Sequence, residues 1–227
     1  MNFGYACINM TLSGLPKSKR ITTNRSMIKR TFKQKGVAYA SELGLLNSQD
    51  LYKILEWNLA NGFSFYRLSS DIFPWSSEYR LEEGTAKRWC ENFKRLDPNT
   101  QKRVTVENDD KASMWSTKHL FDYIHSEIGI PIVFDYHHYK FCTGGQTEQE
   151  ALELAMSTWP KGITPVVHYS QSRAEEHNDP KIRPQAHSDS YWDYPNLYGH
   201  ALYVMCECKH KELGVFALRE MISRRAA

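Results

Sequence analysis

Four short apolar runs in the second half of the chain each stop at a residue that can bind a metal ion. They are Arg103–Val106 before Glu107, Pro131–Phe134 before Asp135, Thr164–Val167 before His168, and Leu202–Cys206 before Glu207. Apolar runs of this length predict buried strands, and the carboxyl ends of parallel strands in a barrel open on one face. The sequence therefore predicts that four separate segments meet at one pocket.

Two earlier apolar runs, around Phe3 and Phe63, bring the number of predicted strands to six. Alternation of strands with helices is typical of βα units and a parallel sheet. We therefore predict an α/β fold of the TIM-type barrel class, incomplete with about six of the usual eight strands, and a single domain over residues 1–227. The predicted helices span Ser48–Ala60, about Leu81–Leu96, Thr117–Ile128, Gln149–Ser157 and Lys211–Arg225.

The charge, the cysteines and the length of the apolar stretches indicate which kinds of partner and cellular compartment to expect. A net charge of +3 over 227 residues is mildly basic, which is compatible with an acidic partner such as DNA but does not require one. The five cysteines form an odd set without a C-x-x-C pair, so a disulfide framework is not expected and a reducing compartment is favoured. No apolar stretch approaches the ~20 residues that span a bilayer, and the N-terminus lacks a signal core. We expect a soluble, intracellular protein.

The residues at the strand ends suit a divalent metal centre. Carboxylate oxygen and imidazole nitrogen are ligands of Zn, Mn, Fe and Co, and clustered divalent ions activate water against phosphodiester bonds. A single acid at a strand end is more often a helix N-cap or a loop hydrogen-bond partner, a role that also suits Asp109, Asp110 and His137. The predicted ligands are Glu107, Asp135, His138, His168 and Glu207, with His187 as a sixth on a long loop from Arg173 to Asn196.

Several motifs, taken in order along the chain, resemble those of one family, the UV damage endonucleases. The V-E-N-D-D and F-D-x-H-H runs are the most specific of them. The resemblance implies an α/β barrel with a cluster of two or three divalent ions, typically Mn²⁺, that cleaves DNA on the 5′ side of UV photoproducts and some other lesions. The matching segments are Phe3–Tyr5, Tyr66–Ser70, Arg103–Asp110, Ile132–His138, Val167–Ser170 and Glu207–Glu212.

The resemblance assigns roles to individual positions. It makes the same six residues metal ligands, and it implies that Tyr5 probes the damaged duplex by inserting where bases are displaced. The alternative for Tyr5 is a half-buried aromatic side chain at the barrel mouth. The predicted DNA contacts are Tyr5, Asn9, Arg25, Arg67, Lys209 and Lys211, and the predicted catalytic residues are Glu107, Asp135, His168, Glu207 and Lys209.

Two of these assignments have simpler alternatives. Arg25 lies in a basic, polar stretch from Ser13 to about Lys35, which we predict to be a long loop that either contacts phosphate or is merely solvated. Lys211 follows Glu207 closely and could hold phosphate, but the favoured alternative is a solvated cation at a helix start.

The chain also departs from the family pattern. In the family, two further strands, ending in H-P-x-Q-[YF] and H-h-G-G motifs, lie between the second strand and the Glu107 strand, and neither motif occurs in this sequence. Two metal ligands would be lost with them, and the sheet would either close as a smaller barrel or leave exposed edges. Val166 stands where the family often has a lysine, in some members a modified one that bridges metals. A centre with fewer ions than in the family is therefore an alternative.

These features predict a metal-dependent DNA endonuclease, a hydrolase of ester bonds, that nicks 5′ to UV photoproducts in excision repair. Its expected partner is damaged double-stranded DNA and its expected cofactor is a divalent metal, Mn²⁺ first. We expect a monomer in the cytoplasm or nucleoid, or in the nucleus of a eukaryote, with association through exposed sheet edges as the alternative. The alternative functions are a shortened homologue that only binds DNA and a metal-dependent sugar isomerase or epimerase.

Overall fold

The computed structural model describes residues 2–25, 29–63, 65–67, 85–95, 98–112 and 114–226. Within these ranges the chain forms six strands, which confirms the predicted number and the α/β class. Each strand lies in or directly after its predicted apolar run, although β3 is only two residues long. The strands are β1 Asn2–Ala6, β2 Tyr66–Arg67, β3 Val106–Glu107, β4 Ile132–Asp135, β5 Val166–Tyr169 and β6 Tyr203–Cys206.

The predicted helices are present where the structure describes the chain. The helices are α1 Met10–Ser13, α2 Lys29–Ala60, α3 Thr85–Lys94, α4 Pro98–Gln101, α5 Thr117–Leu120, α6 Ser126–Ile128, α7 Tyr136–Tyr139, α8 Glu148–Ser157, α9 Arg173–His177 and α10 Glu212–Ala226, with a π-helical turn at Phe121–His125 between α5 and α6. In the described parts of the chain, no helix combines the length and the apolarity that crossing a bilayer requires.

Helix α2 is the main departure from the predicted elements. It starts at Lys29, well before Ser48, so the loop predicted from Ser13 to Lys35 is wrong in its last part. Gly36 has a φ of 72° inside α2, a left-handed conformation that glycine adopts without steric cost, and the helix bends there. The start of the helix predicted from Leu81, like the junction where the two family strands are missing, lies outside the described residues.

The contacts within the chain divide it into two compact units, each assembled from separate stretches of sequence. The first unit comprises Arg80–Ser188 and Pro195–Val204, and the second comprises Asn2–Tyr79, Asp189–Tyr194 and Met205–Ala227. The single domain expected over residues 1–227 stays a prediction.

In the first unit, three parallel strands bring their carboxyl ends to one edge. Strand β4 pairs with β3, with Glu107 opposite Val133, and with β5, with Asp135 opposite His168. All four residues of β4 are buried. Because parallel strands end at the same edge, this register sets the side chains of Glu107, Asp135 and His168 side by side.

The second unit has a polar network in its core. Strands β1 and β2 pair in parallel, with Tyr5 opposite Tyr66. The Tyr5 hydroxyl donates to Asn58 Oδ1 of α2 at 2.6 Å and accepts from Asn9 Nδ2 at 2.8 Å. The Tyr5 ring packs against Phe63, with centroids 5.1 Å apart, and the side chain is fully buried. Burial raises the pKa of the Tyr5 hydroxyl, which therefore stays protonated and keeps donating to Asn58.

We predict that Tyr5→Phe destabilises the folded protein by about 1–3 kcal/mol, because Asn58 and Asn9 would each lose a buried hydrogen-bond partner. Urea unfolding followed by circular dichroism measures the change. The matched control is Tyr123→Phe, since Tyr123 is 60% exposed, and it should change the free energy of unfolding by less than about 0.5 kcal/mol. Equal effects of the two substitutions would contradict a structural role for the Tyr5 hydroxyl.

Candidate metal centre

Acidic and imidazole groups at or just after three neighbouring strand ends lie close together in the first unit. His168 Nδ1 lies 2.9 Å from Glu107 Oε1, and His138 Nδ1 lies 3.4 Å from the same oxygen. Asp135 Oδ2 is 3.9 Å from His138 Nδ1 and 4.0 Å from His168 Nδ1. The structure thus brings together four of the six predicted ligands.

Asp135 has two carboxylate oxygens in different surroundings. Oδ1 accepts the backbone N–H groups of His137 at 2.7 Å and His138 at 2.8 Å, so Asp135 is the N-cap of helix α7. Oδ2 is buried and accepts no hydrogen bond from any residue that the structure describes. A buried carboxylate oxygen without a donor is costly, and a cation bound beside it would remove that cost.

Asn108 holds the Glu107 and Asp135 strand ends together. Its side-chain Oδ1 accepts the N–H of Asp135 at 2.8 Å, and its Nδ2 donates to the carbonyl of Asp135 at 3.0 Å. The carboxamide therefore continues the β3–β4 hydrogen-bonding one residue beyond the strand. Since Asn108 is buried, this pair of bonds is shielded from water and fixes the backbone that carries the Asp135 side chain.

His138 is oriented by a backbone contact and surrounded by negative charge. Its Nδ1 lies 2.8 Å from the carbonyl oxygen of Asn108. Burial opposes the charged ring, but the Asp135 and Glu107 carboxylates and the Asn108 carbonyl outweigh it and raise the pKa of His138. The same nitrogen is the one that lies within 4 Å of the Glu107 and Asp135 oxygens, so the Asn108 carbonyl and both carboxylates face the Nδ1 side of the ring.

The donor set fits a divalent cation. Glu107, Asp135 and His138 each place one ligand atom so that these atoms lie within 4.8 Å of one another. Two carboxylates and an imidazole, with the His168 ring beside the same carboxylates, are ligands for ions such as Zn²⁺, Mn²⁺ or Fe²⁺. Glu107, Asp135 and His138 can therefore hold a metal ion.

His187, the sixth predicted ligand, lies beside this cluster. Its ring centroid is 6.1 Å from that of His138 and 5.6 Å from that of His137. An antiparallel bridge between His187 and Ser172 holds the loop at this place. The position agrees with the expected role, and metal ligation by His187 stays a prediction.

His137 packs behind the cluster as a buried neutral ring. It is fully buried, and its ring meets those of Phe141 and His187 edge to face. Burial lowers the pKa of His137 to about 4, aided by the neighbouring His187 and opposed by Asp135. The sequence suggested a helix N-cap or a loop hydrogen-bond partner for His137, but Asp135 is the N-cap of α7 and His137 lies inside that helix.

The predicted residues after β6 belong to the second unit. Glu207 follows β6 directly and is buried, Lys209 is exposed, and Lys211 precedes α10 with a φ of 52°. Their expected roles as metal ligand and phosphate contacts stay predictions.

Three of the residues expected to contact DNA are engaged within the second unit instead. Tyr5 and Asn9 are buried and bonded to each other, so in this conformation neither can insert into a duplex. Arg25 Nη2 is 2.5 Å from Asp50 Oδ2. Burial works against the Asp50 carboxylate, but its bonds with Arg25, Lys53 and the Thr22 N–H outweigh that and lower its pKa. Arg67 lies in β2, and its expected DNA contact stays a prediction.

The residue that the sequence analysis missed is Asn108. It lies inside the V-E-N-D-D run, but only acidic and imidazole side chains were considered as site residues there, so this neutral amide was left out. Its position could have identified it. An amide directly after a strand-end acid can form hydrogen bonds with the backbone of the neighbouring strand.

We predict that Asp135→Asn weakens Mn²⁺ binding by at least about tenfold, because it removes ligand charge while its side-chain oxygen can still cap α7. Isothermal titration calorimetry with MnCl₂ measures the affinity. The control Asp122→Asn breaks an exposed pair with Lys118 and should leave binding unchanged. Wild-type affinity in Asp135→Asn would contradict the assignment.

A second prediction concerns pH and the metal-free protein. The pKa of His137 is about 4 in the folded state against about 6.5 unfolded, so between these values only the unfolded chain takes up the proton. Stability should therefore fall as pH drops from about 6.5 to 4. His137→Phe should reduce that fall by on the order of 2 kcal/mol in EDTA, as measured by urea unfolding at several pH values. His177→Gln, at an exposed position, is the control, and an unchanged pH profile in His137→Phe would refute the prediction.

Comparison with known proteins agrees with these features. A family model described as UV-endonuclease UvdE matches residues 1–83 and 77–225. The UV-damage endonuclease of Schizosaccharomyces pombe is 26% identical over 303 aligned positions, which cover 95% of this chain and 49% of that protein. The UV DNA damage endonuclease of Bacillus cereus strain G9842 is 33% identical over 152 positions, which cover 64% of this chain and 46% of that protein. The chain thus spans about half the length of these curated relatives.

The matches also locate the missing segment. The two parts of the family match meet at residues 77–83, where the sequence pattern places the two absent strands. The alignment with the S. pombe protein is longer than the 227 residues of the chain, so that protein has residues without a counterpart here. The crystal structure of SacUVDE shares the fold, with a TM-score of 0.71 at 20% identity over 97% of this chain and 99% of that one. With its two matched parts together covering nearly every residue, the chain belongs to the UV-endonuclease UvdE family.

Proposed function

We propose that the protein is a metal-dependent endonuclease that nicks DNA on the 5′ side of UV photoproducts and related lesions. Membership of the UvdE family and relatives named UV-damage endonucleases support this activity. The observation that carries the proposal is the buried Asp135 Oδ2, which has no hydrogen-bond donor among the described residues and lies beside Glu107 and His138. Damaged double-stranded DNA inside the cell is the proposed substrate.

The residues at the centre would act mainly by holding and orienting. Glu107, Asp135, His138 and His168 would hold the metal, and His187 and Glu207 are proposed as further ligands. A bound divalent ion, with Mn²⁺ the first candidate, would lower the pKa of its water and neutralise charge on the scissile phosphate. Asp135 is held by the two N–H groups of α7 and by Asn108, so its free oxygen needs little reorganisation to act.

Charged residues outside this cluster would contact the DNA backbone. Lys209 is exposed and lies shortly after Glu207 in the sequence. We propose that it holds a phosphate. Lys211 and Arg67 are proposed as weaker contacts. Tyr5, Asn9 and Arg25 are not proposed as DNA contacts, because each is held inside the second unit by the bonds described above.

A shortened homologue that binds damaged DNA without cutting it is the second candidate. Two observations favour it: the chain lacks both family histidine motifs, and the family match falls into two parts. Each missing motif would remove one expected metal ligand, so fewer ions than in the family could be held. Membership of the UvdE family gives no support to the sugar isomerase or epimerase alternative.

We predict that the purified protein converts UV-irradiated supercoiled plasmid to the nicked form in MnCl₂, and that EDTA abolishes the conversion. Unirradiated plasmid should remain supercoiled. Asp135→Asn should lower the nicking rate by at least about a hundredfold, while Asp122→Asn should nick at the wild-type rate.

Binding to the same DNA separates the two candidates. Wild-type protein that retains irradiated DNA in a gel-shift assay but nicks it under no divalent metal would support the binding protein and reject the endonuclease. Nicking that persists at the wild-type rate in Asp135→Asn would show that the activity does not come from this centre.

A further inference from the structure

The positive charge of the chain is concentrated in its first 41 residues. They contain eight of the 29 lysine and arginine residues and none of the 26 acidic residues. This part therefore carries a formal net charge of +8, and the remaining residues, with 21 basic and 26 acidic side chains, carry −5. The total of +3 conceals this asymmetry. A segment of one charge sign creates a local field that attracts a partner of the opposite sign.

Three of these cations lie on one turn of the second unit, Pro16–Arg20, which we call the cationic turn. The Lys19 N–H donates to the carbonyl oxygen of Pro16 at 2.7 Å and closes the turn. Lys17, Lys19 and Arg20 are all exposed. Three peptide units separate Lys17 from Arg20, so their Cα atoms are at most about 11 Å apart. Cations this close together can neutralise neighbouring phosphates of one nucleic acid.

The side chains of the cationic turn have no acidic partner. Other exposed cations pair with acids, as Lys94 does with Glu127 and Lys118 does with Asp122. Among the residues that the structure describes, none forms an ion pair or a side-chain hydrogen bond with the three cations of the turn. Like charges held side by side repel one another, so a bound anion lowers the free energy of this surface.

The chain on the amino side of the cationic turn is fixed within the second unit. Glu212 is fully buried, and its carboxylate accepts the N–H groups of Met10 at 2.9 Å and Thr11 at 2.6 Å. The carbonyl oxygen of Leu12 then accepts the N–H of Ile21 at 3.3 Å, which brings the two ends of the loop together. The Glu212 carboxylate thus anchors the loop from inside the core and does not face the exposed cations.

The chain on the carboxyl side of the cationic turn is fixed to helix α2. The Thr22 N–H donates to Asp50 Oδ2 at 3.2 Å, and the Arg25 N–H donates to Asn47 Oδ1 at 3.1 Å. Asp50 also pairs with Arg25 and Lys53, so its charge is already balanced. Because both ends of the loop are anchored, the turn loses little conformational freedom when a ligand binds.

We propose that the cationic turn binds the phosphate backbone of duplex DNA, whether or not the DNA is damaged. Phosphates carry no sequence information, so contacts to them give affinity for any duplex and allow a protein to slide along it. The turn thereby holds the protein on undamaged DNA while it searches for a lesion. The identity of the ligand rests on the proposed function, but the binding itself does not depend on the metal centre.

An anionic membrane is the other extended surface that attracts cations. Stable attachment to a membrane requires a second signal, such as inserted apolar side chains or a lipid, in addition to basic residues. The cationic turn, with the sequence Pro-Lys-Ser-Lys-Arg, has no large apolar side chain. The hydroxyl of Ser18 is a further donor of the kind that contacts DNA phosphates. These features favour DNA as the partner.

Fluorescence anisotropy of a labelled undamaged duplex, measured in EDTA with the whole protein, tests the proposal. Replacing the three cations together should weaken binding at least about tenfold and lower the slope of log affinity against log salt by about 2 to 3, because three phosphate contacts are lost. The titration covers about 50 to 200 mM NaCl. The substitutions are Lys17→Gln, Lys19→Gln and Arg20→Gln.

The matched control removes the same number of charges from exposed positions of the first unit that precede β3 and β5. It should bind the duplex as the wild type does. Circular dichroism confirms that both triple variants are folded. The control substitutions are Lys102→Gln, Arg103→Gln and Lys161→Gln.

Several outcomes would overturn the proposal. They are a wild-type protein that does not bind the undamaged duplex, a turn variant that binds it as tightly as the wild type, and equal losses in the turn and control variants. Binding to phosphatidylserine vesicles that the turn variant loses, with duplex binding unchanged, would identify a membrane surface instead. Since EDTA prevents metal-dependent cleavage, a protein that binds duplex through the turn but never nicks irradiated plasmid would support this inference and reject the endonuclease.

Discussion

The reciprocal pair of hydrogen bonds between the Asn108 side chain and the Asp135 backbone is the interaction on which the candidate centre depends. It ties the end of β3 to the end of β4 and leaves Asp135 free to cap α7 with one oxygen only. The second oxygen is then directed toward Glu107 and the two histidines. One neutral amide thus sets the position of three charged or ionisable groups, because their strands are parallel and in register.

Asp135 has one of the two roles that the sequence suggested and is placed so that it could also have the other. An acid after a strand is most often a helix N-cap, and Asp135 is one. The cap uses Oδ1. Oδ2 is buried without a hydrogen-bond donor, so leaving it without a partner costs free energy. Capping therefore does not exclude metal binding here, since the cap turns Oδ2 toward the groups with which it could hold a metal ion.

The sequence predicted the strands and the meeting of the acidic and imidazole side chains of the first unit, because both follow from a local pattern: an apolar run, then an acid or a histidine. It could not predict the surroundings of Tyr5 and Arg25, since these residues are bonded to Asn58 and Asp50, more than twenty positions away, and Asn9 is in turn bonded to the buried Tyr5 hydroxyl. Helix α2 was predicted only from Ser48 onward. Its earlier part contains few apolar residues, and its later part has apolar residues on both faces, so the helical period is hard to detect in the sequence.

The central claim is that Asp135 Oδ2 and its neighbours form a metal site. Anomalous diffraction at the manganese edge from crystals soaked in MnCl₂ tests it most directly. The account predicts an anomalous peak at coordinating distance from Asp135 Oδ2, a Glu107 carboxylate oxygen and a ring nitrogen of His138. Crystals with full manganese exposure and no peak at these atoms, or with peaks only elsewhere, would contradict it.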